Sequence, residues 1–279
     1  MDLEFYVDNP SSDLHLFHTH NNDNNTNTPI TTLNPPKIAF MFLTISTPSR
    51  EDLWRNFFSK APREKYTLYC HPKLRDRIPA TSLLFPHIIE KHVETNWAGI
   101  SLVRATILML EEAVKDPCNQ RFILVSETCT PIVSFDTIYE TLMKQQTCSS
   151  FSFNPDYPTS KDHENRYRRY ANKRMIPPEK FMKAHQWFIL DRQAAVLCAK
   201  ARHIKDFERV FASDEHYFIN MCSYYNLPFV NLKRTFVEFD HDRSHPKVFH
   251  EISLSFLQSL REKGFFFMRK VRRPTLFLP

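Results

Sequence analysis

The sequence predicts an α/β protein with one open, mostly parallel sheet covered by helices on both faces. Two patterns carry this. The run Lys37-Ile-Ala-Phe-Met-Phe-Leu43 is apolar without alternation, as in a strand buried on both sides. Strand-like and helix-like segments then follow one another in turn, the order that builds parallel sheets.

The elements follow in order. Residues 48–58 read as a helix with Ser49 as cap and Leu53, Trp54, Phe57 and Phe58 on one face. Residues 66–70 form a second strand ending at His71-Pro72, and residues 88–93 a weak third. Residues 96–115 place Ile100, Val103, Ile107, Leu108, Leu110 and Val114 at helical spacing. A strand over 121–126, a helix over 134–145 capped by Ser134 or Asp136, and a strand over 149–153 complete this half. Beyond a polar, basic stretch (161–174), helices are expected at 192–204, 213–225 and 250–263, with one or two strands in 229–239. Residues 1–36 include a polar Asn/Thr run and then Pro29, Pro35 and Pro36. Such a stretch buries too little apolar area to offset its ordering entropy, so a flexible leader is expected, followed by a single domain over 37–279.

Composition excludes several chemistries. The 279 residues are 42 % hydrophobic and include 25 Phe, a globular profile, yet only 2 are Gly (Gly99 and Gly264). Two distant glycines cannot write a dinucleotide-binding loop, a Walker A loop or a nucleophile elbow. The six cysteines include no C-x-x-C pair and sit mostly in apolar surroundings, which points to buried free thiols rather than a disulfide scaffold or a thiol nucleophile. No apolar run is long enough to span a membrane. The net charge of +6 is concentrated near the end, at Arg269, Lys270, Arg272 and Arg273. That suits a phosphate-bearing ligand. Acids nearly match bases and no nucleic-acid motif is present, so nucleic acid is not expected as a partner.

The most informative stretch is Phe211-Ala-Ser-Asp-Glu-His-Tyr-Phe218, which sets two carboxylates among apolar and aromatic neighbours. A carboxylate desolvated beside rings has its pKa raised toward neutrality, where it works as a general base. The plain alternative is a first helical turn with Ser213 as cap. Asp240-His241-Asp242 is formally a D-x-D, a pattern able to hold Mn²⁺ or Mg²⁺ against a diphosphate. It follows the proposed base rather than preceding it, so no metal is expected.

Several segments in fixed order resemble the core-2/I-branching glycosyltransferases, family fourteen, and its plant-type branch in particular. They are Lys37-Ile-Ala-Phe-Met-Phe-Leu-Thr44, Tyr69-Cys-His-Pro72, Trp97-Ala-Gly-Ile-Ser-Leu-Val103 and Arg121-Phe-Ile-Leu-Val-Ser-Glu-Thr-Cys-Thr-Pro131. Arg166-Tyr-Arg-Arg-Tyr170, Gln186-Trp-Phe188, Ser213-Asp-Glu-His-Tyr-Phe218 and Phe267-Met-Arg-Lys270 complete the set. The resemblance implies a GT-A-like fold and an inverting, metal-independent transferase. The reaction it implies moves a sugar, N-acetylglucosamine in the animal branch, from a UDP-sugar to a carbohydrate hydroxyl.

Carried over residue by residue, the resemblance makes Glu215 the base. Lys270, with Arg269 beside it and Lys247 after His245-Pro246, would hold the diphosphate. Thr44 and His71 fall at strand ends on the UDP-sugar side. Arg166, Arg169, Trp187 and His241 fall on the acceptor side. His71 stands where relatives carry an acid near the uracil, and His241 where they carry a tryptophan. The expected partners are a nucleotide-sugar donor and a glycan or glycoconjugate acceptor, with peripheral membrane contact. As written the chain reads as soluble, cytoplasmic for a bacterial or viral source, and Golgi-bound only with an anchor outside it. The alternative is a catalytically inactive carbohydrate- or nucleotide-sugar-binding protein of the same fold.

Overall fold

The computed structural model describes residues 35–144, 148–239 and 245–278; the expected leader up to residue 34 lies outside them. The strands are β1 (Lys37–Thr44), β2 (Tyr66–Pro72), β3 (Asn119–Val125), β4 (Thr130–Pro131), β5 (Ser149–Phe151) and β6 (Ile189–Asp191). They continue with β7 (Phe229–Asn231), β8 (Thr235–Val237), β9 (Phe249–Ser253), β10 (Phe267–Arg269) and β11 (Val271–Leu278). The helices are α1 (Glu51–Ser59), α2 (Ile100–Ala113), α3 (Phe135–Lys144), α4 (Lys161–Tyr167), α5 (Arg192–Ala199), α6 (Tyr217–Tyr224) and α7 (Leu254–Glu262).

Six strands form the central sheet in the order β2-β1-β3-β6-β5-β7. β2, β1 and β3 are parallel, as are β5 and β7, while β6 runs against both β3 and β5. The predicted α/β class with a mostly parallel sheet is therefore what the chain adopts. β1 is central and buried over almost its whole length, which is why its sequence lacks alternation. β10 joins β4 and β8 in a smaller sheet, and β11 pairs with β9 in a ribbon.

Packing on β1 is dominated by rings. Trp54 of α1 is fully buried, stacks on Phe58 at 5.6 Å and Phe267 at 5.8 Å, and meets Phe42 edge-on at 4.9 Å. Its indole N–H donates to the Cys129 carbonyl at 3.0 Å. One side chain thus joins the first helix, the central strand and the C-terminal sheet, and its polar atom is satisfied.

Several boundaries differ from expectation for identifiable reasons. α1 starts at Glu51 with Arg50 at the capping position and no side-chain cap; Ser49 lies one residue earlier, its N–H tied to the Glu127 carbonyl. Of the weak strand over 88–93, only a Cys70–Ile88 bridge forms. The 250–263 pattern divides: Phe249–Ser253 is drawn into β9 by pairing with β11, and Ser253 caps α7 by accepting from the Phe256 N–H. α5 stops at Ala199, where Ala201 and His203 turn to positive φ. The 213–225 segment is a 3₁₀ turn (Ser213–Glu215), a break at His216, then α6. Ser134 does cap α3, accepting from the Thr137 N–H at 3.1 Å.

Trp54→Ala should destabilise the fold by about 3–5 kcal/mol, since it opens a large cavity among rings that cannot collapse. Denaturant unfolding followed by far-UV circular dichroism measures this, and a loss under 1 kcal/mol would show the cluster is not central.

Candidate active site

Because β1, β2 and β3 are parallel, their carboxyl ends share one edge of the sheet, where ligands of open α/β sheets collect. Thr44 closes β1. It is buried, with Oγ1 3.9 Å from Cys70 Sγ and its carbonyl accepting from the Lys73 N–H. His71 in β2 is fully buried and stacked on His92 at 4.6 Å. Burial, then the neighbouring His92, push its pKa down to about 4. The Val93 N–H donates to its Nε2, so the neutral ring carries its proton on Nδ1, which has no partner among the described residues. His71 therefore offers neither the negative charge of an acid nor a cation for phosphate. Glu127, just beyond β3, accepts from the Ile45 N–H through its carboxylate at 3.4 Å.

The antiparallel strand β6 brings a further set to the same edge. Its register pairs Ile123 with Ile189 and Arg121 with Asp191, so the residues before Ile189 extend past the carboxyl end of β3. These include Lys183, His185 and Trp187. Trp187 is buried, at 9 % exposure, and the Arg269 guanidinium lies over its ring at 4.4 Å. Trp187, expected on the acceptor side, packs in the core with Arg269 over its ring. Arg269 is half-buried, its Nε has no protein partner among the described residues, and burial lowers its pKa although Cys129 and Glu127 oppose the shift. The Val271 N–H donates to the Thr128 carbonyl, which ties the following backbone to the end of β3. Lys270 is linked to Lys247 by backbone, its N–H donating to the Lys247 carbonyl. The Lys247 ammonium pairs with Glu238 at 3.2 Å, so as the chain stands its charge is already engaged.

Glu215 ends the 3₁₀ turn, and its backbone carbonyl accepts from the Ala184 N–H at 2.8 Å, which fixes it beside the segment leading into β6. Its carboxylate lies 3.5 Å from the Lys183 ammonium and is 30 % exposed. Burial raises its pKa, while Lys183 first and Arg166 next pull it down. The result is a carboxylate poised above the ordinary range with an open side, as a general base needs. Sequence reasoning missed Lys183 and Asp162, because their contacts span distant segments. Lys183 also pairs with Asp162 at 3.0 Å, and Arg166 binds the same carboxylate at 2.8 Å. Arg166 therefore acts within the protein, and Arg169 lies exposed on the turn after α4.

The positive field along this edge is registered by His185. Burial, then Lys233, Lys183 and Arg269, drive its pKa to about 4. Among the described residues no group of three or more His, Cys, Asp or Glu gathers as a metal site. Asp240, His241 and Asp242 lie outside those residues.

Asp214, beside Glu215, is buried, and its Oδ1 has no hydrogen-bond partner among the described residues. Burial and the neighbouring Glu215 raise its pKa to about 7. Folded protein thus holds this proton more tightly than unfolded protein. The stability gained is full below the ordinary carboxylate range and is lost as pH rises through about 7. Asp214→Asn should therefore gain melting temperature relative to wild type as pH rises from about 4 to about 8. Parallel calorimetric curves for the two proteins would show that Asp214 titrates ordinarily.

The family model described as Core-2/I-Branching enzyme matches residues 38–261. Glycosyltransferase BC10 of Oryza sativa subsp. japonica is 28 % identical over 166 residues, which is 57 % of this chain and 39 % of that protein. The match thus spans well under two thirds of that relative's length. Among solved structures, the WbbM bifunctional glycosyltransferase apo structure aligns with 85 % of this chain and 46 % of its own, at TM-score 0.47 and 8 % identity. Mouse xyloside xylosyltransferase 1, apo form, aligns with 84 % and 96 %, at TM-score 0.36 and 11 % identity. By the extent of the family match, the chain belongs to the Core-2/I-Branching enzyme family, a family of glycosyltransferases.

Proposed function

We propose that this protein is an inverting, metal-independent glycosyltransferase with a GT-A-like fold. In this reading it moves a sugar from a UDP-sugar to a carbohydrate hydroxyl, with N-acetylglucosamine as the donor sugar by resemblance to the animal branch. One arrangement carries the reading: Glu215, joined to Ala184 and Lys183, and Arg269, held over Trp187, both meet the segment that enters β6.

Direct displacement at an anomeric carbon needs two things from the protein. A base must take the acceptor proton as the new C–O bond forms, and positive charge must meet the diphosphate as the old bond breaks. Glu215 supplies the first. Arg269 supplies the second, with a guanidinium fixed by its ring contact; Lys270 follows it in the chain. Lys183 holds Glu215 ionised between turnovers and keeps its pKa from rising further. His71 is neutral and buried beneath His92, so it brings no charge to the donor where an acid would. The His241 position leaves the acceptor identity open to experiment.

Glu215→Gln should lower turnover from a UDP-sugar by about 10²–10⁴-fold while UDP affinity stays unchanged. Wild-type turnover in that variant would remove Glu215 from the role of base, and UDP binding without turnover in the wild type would favour a binding protein of the same fold. Lys183→Met removes the largest pKa-lowering influence on Glu215. The base works deprotonated, so the acidic limb of kcat/KM should move to higher pH in that variant, and an unmoved limb would uncouple the two groups. Activity should survive EDTA; loss on chelation, restored by Mn²⁺, would transfer attention to Asp240 and Asp242.

A further inference from the structure

Asn220 lies in the first half of α6, just beyond the Glu215 turn, and is fully buried. Asparagine is a poor helix former, and a buried carboxamide is costly unless its polar atoms are paired. Here they are paired, mostly on one residue. Asn220 Oδ1 accepts from the Met182 N–H at 3.0 Å, and Nδ2 donates to the Met182 carbonyl at 2.8 Å. Nδ2 also donates to the His216 carbonyl at 2.7 Å. The side chain thus exchanges both bonds with Met182, as a residue of one antiparallel strand does with its opposite number, although Met182 belongs to no helix or strand.

Met182 immediately precedes Lys183, and the residue after Lys183 is anchored too. The Ala184 N–H donates to the Glu215 carbonyl at 2.8 Å, and Ala184 forms a bridge with Phe153. Lys183 is therefore a single residue strung between two held peptide groups, one gripped by Asn220 and the other by the Glu215 turn itself. A lysine side chain has many rotamers, so a fixed backbone is what limits where its ammonium can stand. That ammonium lies 3.5 Å from the Glu215 carboxylate and 3.0 Å from Asp162. The other charged or titratable groups around Glu215 are Arg166, Asp214 and Tyr157. The Asn220 side-chain hydrogen bonds go to Met182 and His216 backbone and to none of these groups.

We infer that Asn220 is a positioning residue for Glu215, acting through the Met182 backbone to set where the Lys183 ammonium stands. A carboxamide suits this task, because it carries an acceptor and two donors on separate atoms of one plane. An aspartate could not donate, and a serine hydroxyl has one atom for both roles. With the clamp in place, the ammonium is kept beside the Glu215 carboxylate. Released, it spends time on Asp162 or in solvent, and the carboxylate keeps its proton to higher pH. This role deepens the transferase reading and rests on it for the word base.

The carboxylate can be read directly. The full chain, ¹³C-labelled at its glutamate carboxyls, is titrated by NMR, and Glu215→Gln identifies the Glu215 signal. Asn220→Ser should raise the Glu215 pKa, in the same direction as Lys183→Met, because a favourable cation is no longer held beside it. In the double variant of Asn220→Ser with Lys183→Met the two effects should not add, as expected of residues acting through one contact. Asn220→Gln, which keeps the carboxamide but displaces it, should raise the pKa likewise and serves where Asn220→Ser does not fold. Titrations of these variants that coincide with wild type, or two shifts that sum in the double variant, overturn the role. Hydrogen exchange on the wild type needs no variant: the Met182 N–H should exchange about 10²-fold or more slower than an unstructured amide, and exchange at the unstructured rate overturns the clamp. Neither measurement uses substrate, so wild-type turnover in Glu215→Gln would remove the base and leave the clamp standing.

Discussion

The antiparallel pairing of β6 with β3 is the constraint on which the site depends. In an all-parallel sheet, the residues entering a strand lie at the opposite edge from those leaving its neighbours. Reversing β6 delivers its preceding residues to the carboxyl ends of β1, β2 and β3. Through that reversal Lys183 reaches Glu215, and Trp187 meets Arg269. Two backbone bonds, Ala184 to Glu215 and Leu124 to Phe188, lock this entering segment between the Glu215 turn and the sheet.

The same edge is closed by the C-terminal strands. Phe267 of β10 stacks on Trp54, deep in the aromatic cluster that covers β1, while Arg269 two residues later lies over Trp187. Core packing therefore sets where the basic end of the chain runs, and a cation otherwise expected on a solvated tail is held half-buried at the sheet edge. A guanidinium so placed interacts strongly with an arriving anion, because little reorganisation and little screening intervene. The partial burial that raises the Glu215 pKa is found on the same edge.

The fold was largely legible in the sequence because burial writes itself into composition. The unbroken run of β1, the helical spacing of α2, and the rings of α1 each report how many of their faces meet the core. Element ends were less legible. A serine near a helix start caps it only from the capping position, and here Arg50 holds that position while Ser49 lies one residue earlier. The pattern over 250–263 suits a helix on its own, yet its first residues take the strand that β11 offers.

For the site, the sequence by itself determined the chemistry available: an acid among rings at Glu215, and arginine with lysine near the chain's end. Such features are local, since residue type and immediate neighbours fix them. Only the tertiary structure decided their company. It set Lys183 and Asp162 beside Glu215, turned Trp187 inward beneath Arg269, paired Lys247 with Glu238, and left Trp97 and Phe211 exposed on two joined turns of positive φ. Those outcomes follow from strand direction and from contacts between segments far apart in the chain, which local pattern does not encode.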